Sequence, residues 1–399
     1  MSLSKDIGES GEVGPSASPP LPRSLSHFLS GRGSGGCGVR VLFAGGGTGG
    51  HVFPALALAD EIRRRAPETE VLFVGTDRGM ERKAVPQAGY PIRMISVIGL
   101  RRQVSWEWLR FPFALVDSLR ETRRLFRAFR PDLVIGTGGY VSGPVGFMAG
   151  WFGVPLVIQE QNSYPGITTR LLAWIADQVH LTFPESRKFF FRKRNLQVSG
   201  NPTRSEIGSV GRTEARERLG LAQPKPTLCV IGGSQGAHSI NVALSEALDR
   251  LTASGIQVFW QTGERDYQWA SQTAARYGDA VRAQGFVDMP TALGAADLIL
   301  CRAGAMTLAE IARCGLPAIL VPYPYATANH QEWNARSLVE AGAAEMIPDR
   351  ELSGQRLAEK VSTLLGDTER LDRMRRASRS LGRPMAARRI VDCGLRILE

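Results

Sequence analysis

Short apolar runs that lead straight into glycine-rich loops, twice over in one chain, constrain this sequence more than any other feature. VRVLFA (39–44) opens onto GGGTGGH (45–51), and PDLVIG (131–136) onto GTGGYVSGP (136–144); EVLFVG (70–75) and VPLVIQE (154–160) belong to the same set. Continuous apolar runs of this length suit strands buried on both faces of a parallel sheet. Between them, patterns such as PALALADEIRRRA carry apolar residues on one helical face. After Asn201-Pro202 and a polar stretch, TRSEIGSVGRTEARERLG, the rhythm restarts with TLCVIGG (227–233), IQVFWQTG (256–263), ADLILC (296–301) and LPAILVP (316–322). The fold predicted is α/β: two doubly wound, Rossmann-like domains with a ligand cleft between them. The expected bounds are 39–203 and 204–377, with a basic helical segment over 378–399 that fold analogy would return to the first domain.

Residues 1–38 are rich in Ser, Gly and Pro and bury too little apolar surface to offset the entropy of ordering, so they are expected to be a disordered leader. The leader holds three basic and three acidic residues, so the net charge of +11 belongs to the rest of the 399-residue chain. A basic protein attracts anionic partners: nucleic acid, phosphorylated small molecules or an acidic lipid surface. Neither zinc ligands nor an RNP-like strand supports nucleic acid. Five scattered cysteines without a C-x-x-C pair disfavour a disulfide framework and point to a reducing cytosol. No run of 18 apolar residues and no secretory signal order occurs, so membrane contact is expected to be peripheral.

Gly45, Gly47 and Gly50 formally satisfy G-x-G-x-x-G, but the acidic residue a dinucleotide site wants about 20 positions on is missing, Asp77 being late. Two further loops, GGSQGAHSIN (232–241) and CRAGAMTLAE (301–310), repeat the device in the second half. Glycine lets a ligand approach backbone N–H groups, and the helix start that follows favours phosphate. None of the four contains the G-K-S/T of a P-loop, and no Asp-X-Asp triplet occurs.

GGGTGGHVFPALALA, GTGGYVSGP, QEQNSYPG, SGNPTR, GGSQGAHSIN, RAGAMTLAEIARCGLPAILVPYP and HQEWNA, in this order, closely resemble the MurG family of peptidoglycan glycosyltransferases. The resemblance spans 39–399 and implies a GT-B architecture, with no cofactor and no metal. It implies inverting transfer of N-acetylglucosamine from UDP-N-acetylglucosamine to an undecaprenyl-diphosphate-linked muramoyl pentapeptide, at the cytoplasmic face of the plasma membrane. Carried over, it implies that Ser234 and Gln235 meet the diphosphate and sugar, and that Phe286 and Val287 hold the uracil. Glu310 would take the ribose hydroxyls beside Ala305, Met306 and Thr307, while Gln331 and Asn334 would meet the transferred sugar and Arg204 reach the donor. From the first half, Thr48, Gly49, Gly50 and Asn162 would face the donor, and Gly47, Tyr140 and Ser142 the acceptor.

Inversion needs a base for the attacking hydroxyl and a positive setting for the departing diphosphate. His51 is the candidate base, its ordinary pKa lying near physiological pH; a role in ordering the loop or binding acceptor phosphates stays open. Glu160 competes as base, against a structural role. Segment 101–130 carries eight arginines against three acids, and Trp106, Trp108, Phe111 and Phe113 crowd around Pro112, where a helix is expected to open. That cluster fits insertion at an anionic bilayer, whereas Leu115, Leu119, Phe126 and Phe129 read as a core-facing stripe. The alternatives are another enzyme on this fold, such as a diacylglycerol glycosyltransferase or a UDP-N-acetylglucosamine epimerase, or a subunit that binds nucleotide sugar without turnover.

Overall fold

The computed structural model describes residues 38–77, 79–97, 107–233 and 236–399, and for 107–111 the backbone alone. The leader expected over 1–38 therefore lies outside the described residues but for Gly38. Seven strands, β1 (Arg40–Gly45), β2 (Glu70–Gly75), β3 (Ile92–Met94), β4 (Leu133–Gly138), β5 (Leu156–Glu160), β6 (Gln178–Leu181) and β7 (Leu196–Val198), form one parallel sheet ordered β3-β2-β1-β4-β5-β6-β7. Six more, β8 (Thr227–Ile231), β9 (Gln257–Gln261), β10 (Val281–Gln284), β11 (Leu298–Cys301), β12 (Ala318–Leu320) and β13 (Ala344–Met346), form a second, ordered β10-β9-β8-β11-β12-β13. Both sheets are doubly wound, and in each the strand order reverses beside the first strand of its half.

Every central strand is buried on both faces because its side chains alternate between two apolar layers. In β1, Val41 and Phe43 pack with Leu58 and Ile62 of the helix Gly49–Arg65, while Leu42 and Ala44 pack with Val145 and Phe126 on the opposite face. The helix Ala386–Arg396 returns to the first sheet, adding Ile390, Val391 and Leu395 to the layer of Val41. Where the chain crosses between halves, Gly200 leaves no room for a Cβ against Arg383, so outgoing and returning segments touch there.

The helix expected to open at Pro112 begins five residues earlier and runs Glu107–Phe129, with Pro112 inside it. A proline in the second turn removes one ladder bond and the helix continues through it. Phe126 is buried and Leu119 and Phe129 are partly buried on the sheet, but Leu115 is exposed, so the core-facing stripe is shorter than expected.

Candidate active site

The reversal of strand order sets the β1 and β4 loops side by side in the first half and the β8 and β11 loops side by side in the second, so all four glycine-rich loops gather at two switch points. In the first half they touch through backbone. A Cβ on Gly139 would strike the Gly46 carbonyl, and one on Gly138 would stand 2.8 Å from the His51 ring; both glycines have positive φ, +82° and +101°. Glycine is therefore required twice over, by conformation and by space.

His51 lies in the first turn of the helix Gly49–Arg65. Its Nδ1 is 3.0 Å from the Gly46 carbonyl oxygen, and Thr137 Oγ1 donates to the His51 carbonyl at 2.8 Å. A carbonyl only accepts, so Nδ1 carries the hydrogen and the neutral ring keeps its lone pair on Nε2. Burial pushes the His51 pKa below its usual 6.5, and His330, facing it from the other half, acts in the same direction. The ring is thus held as a neutral acceptor of protons.

Glu81, which sequence reasoning did not single out, is fully buried under this loop. Its Oε2 accepts from Gly47 N–H at 2.8 Å, and its Oε1 from Thr76 N–H and Thr76 Oγ1, each at 2.9 Å. In GMERK it reads as one charge among several, and only the folded contacts distinguish it.

Glu160, at the end of β5, is also buried. Oε1 accepts from the backbone N–H and side-chain Nδ2 of Asn162 at 3.0 and 3.3 Å, and Oε2 from Gly166 N–H at 3.2 Å. Burial raises its pKa, against those hydrogen bonds. These contacts make Glu160 the anchor of the 160–166 loop, with both oxygens engaged, and leave His51 the better disposed of the two candidate bases.

The loop that Glu160 anchors joins the halves. Asn334, expected against the transferred sugar, is instead wholly buried: its Oδ1 accepts from Ser163 N–H at 2.8 Å, and its Nδ2 donates to Asn162 Oδ1 at 3.2 Å and to Ala303 O at 3.3 Å. Both ends of its amide are spent on this bridge. Ser142, expected toward the acceptor, is likewise buried; its hydroxyl lies 2.8 Å from the carbonyl oxygens of Ala44 and Gly138 and accepts from Gly138 N–H at 3.1 Å. It closes the β4 turn, and the exposed Tyr140 beside it presents the free hydroxyl.

Gly47 and Thr48 are exposed and Gly49 and Gly50 half-buried at the mouth of the β1 loop. In the second half, Ala305, Met306 and Thr307 form the first turn of the helix Ala305–Cys314. Glu310, one turn on, is buried, with Arg204 NH2 3.5 Å from its Oε1 and the Arg204 guanidinium 6.0 Å from the Phe53 ring of the first half. Burial raises the Glu310 pKa while Arg204 and Arg313 oppose it. After β10, Phe286 is exposed and Val287 buried, so only Phe286 offers a ring face. Gln331 Oε1 accepts from Tyr323 N–H at 3.0 Å. Ser234 and Gln235 lie outside the described residues. The adjoining loop is held by Gln261, which accepts from Gly233 N–H and donates to the Gly233 and Gly285 carbonyls, a clamp the sequence did not advertise.

His330 donates from Nδ1 to Thr327 O at 2.7 Å, and its pKa too is lowered by burial. Just before it, Ala328 and Asn329 both have φ of +54°, a strained backbone of the kind that collects at ligand clamps. No group of three or more His, Cys, Asp or Glu side chains able to hold a metal ion occurs among the described residues.

The two doubly wound parallel sheets, each with glycine-rich loops at its switch point, make the two-domain architecture of the GT-B glycosyltransferases. Residues 41–181 match the glycosyltransferase family 28 N-terminal domain and residues 227–390 its C-terminal domain. The UDP-N-acetylglucosamine–N-acetylmuramyl-(pentapeptide) pyrophosphoryl-undecaprenol N-acetylglucosamine transferase of Desulforamulus reducens is 42% identical over 368 residues, covering 90% of this chain and 99% of its own. The enzyme of that name from Prosthecochloris aestuarii is 46% identical over 353 residues, covering 88% and 96%. Among solved structures, that of Acinetobacter baumannii MurG has a TM-score of 0.72 at 29% identity, covering 90% of this chain and all of that one. The chain belongs to glycosyltransferase family 28 and, within it, to the MurG family.

Proposed function

We propose that this chain transfers N-acetylglucosamine from UDP-N-acetylglucosamine to the muramoyl sugar of an undecaprenyl-diphosphate-linked pentapeptide, with inversion at the transferred carbon. The observation that carries the reading is the pairing of two switch points in one chain, His51 on one and Glu310 with Arg204 on the other. In this mechanism His51 Nε2 takes the proton of the attacking hydroxyl as the new glycosidic bond forms and the bond to the UDP diphosphate breaks. Helix starts at His238 and Ala305 and the loop amides before them meet the charge of the departing diphosphate. Glu310 accepts from the ribose hydroxyls, Phe286 stacks on uracil, and Gln331 meets the sugar. Glu160 and Asn334 shape the cleft by holding the 160–166 loop.

The protein would meet its lipid substrate as a peripheral protein at an anionic bilayer. No helix among the described residues is long and apolar enough to cross a membrane. In support of a surface contact, Phe113, Trp151, Trp174 and Phe191 are 74%, 70%, 56% and 85% exposed. Three of these aromatics are borne on the helix Glu107–Phe129, the helix Ser142–Phe152 and the stretch following Ile167–Leu172, all packed on one face of the first sheet. Arg170, Arg187, Lys188, Arg192, Lys193 and Arg194 lie in the same part of the chain. Trp106 lies outside the described residues, and the backbone alone is described at Trp108 and Phe111.

Purified protein with radiolabelled UDP-N-acetylglucosamine and a short-chain lipid acceptor should yield labelled disaccharide lipid on chromatography. Release of free epimerised sugar, transfer only to diacylglycerol, or donor binding without turnover would each replace this reading with one of its rivals.

A further inference from the structure

The Gly46–Gly47 peptide has a hydrogen-bond partner at each end. Its carbonyl accepts from His51 Nδ1 at 3.0 Å, and its N–H donates to Glu81 Oε2 at 2.8 Å. In a trans peptide these groups point in opposite directions across one conjugated plane, so the carboxylate and the imidazole are joined in line through a single amide. We propose that Glu81 is a positioning residue for the base, acting on His51 through the Gly46–Gly47 peptide as a carboxylate–peptide–imidazole relay. This rests on the reading of His51 as the base.

An anionic acceptor on the amide N–H shifts electron density toward the carbonyl oxygen, making it a stronger acceptor for Nδ1–H. That fixes the tautomer with Nε2 free and stabilises the imidazolium formed when Nε2 takes the proton; Glu81 itself gains and loses none. The surroundings are built for such a carboxylate. Gly46, Gly75 and Gly79 each lie so close to the Glu81 side chain that a Cβ would collide with it, and all three of its donors are neutral groups. Of the titratable groups facing His51, Glu81 favours the protonated ring and His330 opposes it.

The test is a double-mutant cycle on the full-length protein, with UDP-N-acetylglucosamine and a short-chain acceptor, together with nitrogen-15 spectra of its histidines. Glu81→Gln should lower kcat at least about 10-fold, within the ~10²–10⁴ a general base supplies, with KM for the donor nearly unchanged. In a His51→Ala background the same change should cost less than about 2-fold, because the residue it acts through is gone. The acid limb of kcat/KM should move to lower pH. In the spectra, the resonance lost in His51→Ala should report hydrogen on Nδ1 in the wild type and a mixture of tautomers in Glu81→Gln. Should Glu81→Gln fail to fold, Glu81→Asp, which keeps the charge on a shorter arm, is judged by the same criteria at a smaller effect. Equal losses of kcat in both backgrounds, or an unchanged His51 tautomer and pH limb, overturn the relay and leave Glu81 a structural support. If His51→Ala itself keeps wild-type kcat, the base assignment has failed, and the spectra still decide whether the relay exists.

Discussion

The proposed mechanism concentrates the chemistry into one testable atom, Nε2 of His51. Its lowered pKa keeps Nε2 unprotonated at neutral pH, so kcat/KM should rise with pH through a midpoint below the ordinary 6.5 and be flat above it until another group titrates. His51→Ala should cut kcat by ~10²–10⁴-fold, abolish that limb and leave UDP affinity nearly unchanged by calorimetry. Retention of near wild-type kcat would remove it as the base. At this scale the sequence exposed the loops and the histidine, because glycine clusters after apolar runs are local patterns. It concealed which polar residues were already engaged. Ser142 and Asn334 looked free in sequence, yet their partners, Ala44 and Gly138 for one and Ser163 and Asn162 for the other, are supplied by the fold. Glu81 and Gln261 were missed for the converse reason, since their backbone partners carry no sequence signature.

At the scale of elements, the strands legible in the sequence were those buried on both faces, and the missed ones were short and mixed in polarity. β3 (IRM), β6 (QVHL), β7 (LQV), β10 (VRAQ) and β13 (AEM) form only because a neighbouring strand templates them. β6 shows what such a strand tolerates. His180 is buried there between Ser199, whose hydroxyl is 2.7 Å from Nδ1, and Gln178, whose Oε1 is 3.1 Å from Nε2, and burial lowers its pKa to about 4. The unfolded chain binds a proton near 6.5 that the native chain refuses until about 4. Stability is therefore full above 6.5 and falls with pH between those values, by roughly 3 kcal/mol from this group. His51 and His330, also lowered, act in the same sense. Thermal melts should lose cooperativity or midpoint from pH 7 to pH 5, and His180→Gln should show a shallower loss over that window. An equally steep loss in the variant would place the acid sensitivity elsewhere.

For the whole molecule, the contacts that tie the two halves include the Asn334 bridge, the Tyr164 and Phe189 rings against Trp333, Arg204 between Phe53 and Glu310, and Arg313 donating to Thr203 Oγ1 at 2.9 Å. In the proposed mechanism the donor is thereby brought to a half whose outer helices carry exposed aromatics, and it is this half that should meet the bilayer. Interfacial aromatics supply apolar area, while each nearby arginine or lysine adds about 1 kcal/mol on an anionic surface, so binding should need both terms and weaken with salt. The sequence pointed to the aromatics around Pro112; the exposed Trp174 and Phe191 add a second group, their rings tilted at 34° with centroids 5.7 Å apart and backed by Arg192 donating to Trp174 O at 2.8 Å. Replacing Phe113, Trp174 and Phe191 by Ser should abolish co-sedimentation with vesicles containing anionic lipid. The same variant should turn over a full-length lipid acceptor poorly and a soluble short-chain acceptor at nearly the wild-type rate. Because these side chains are exposed, its thermal midpoint should move little. Vesicle binding that survives in the folded variant would shift the membrane face to the C-terminal arginines between Arg370 and Arg396.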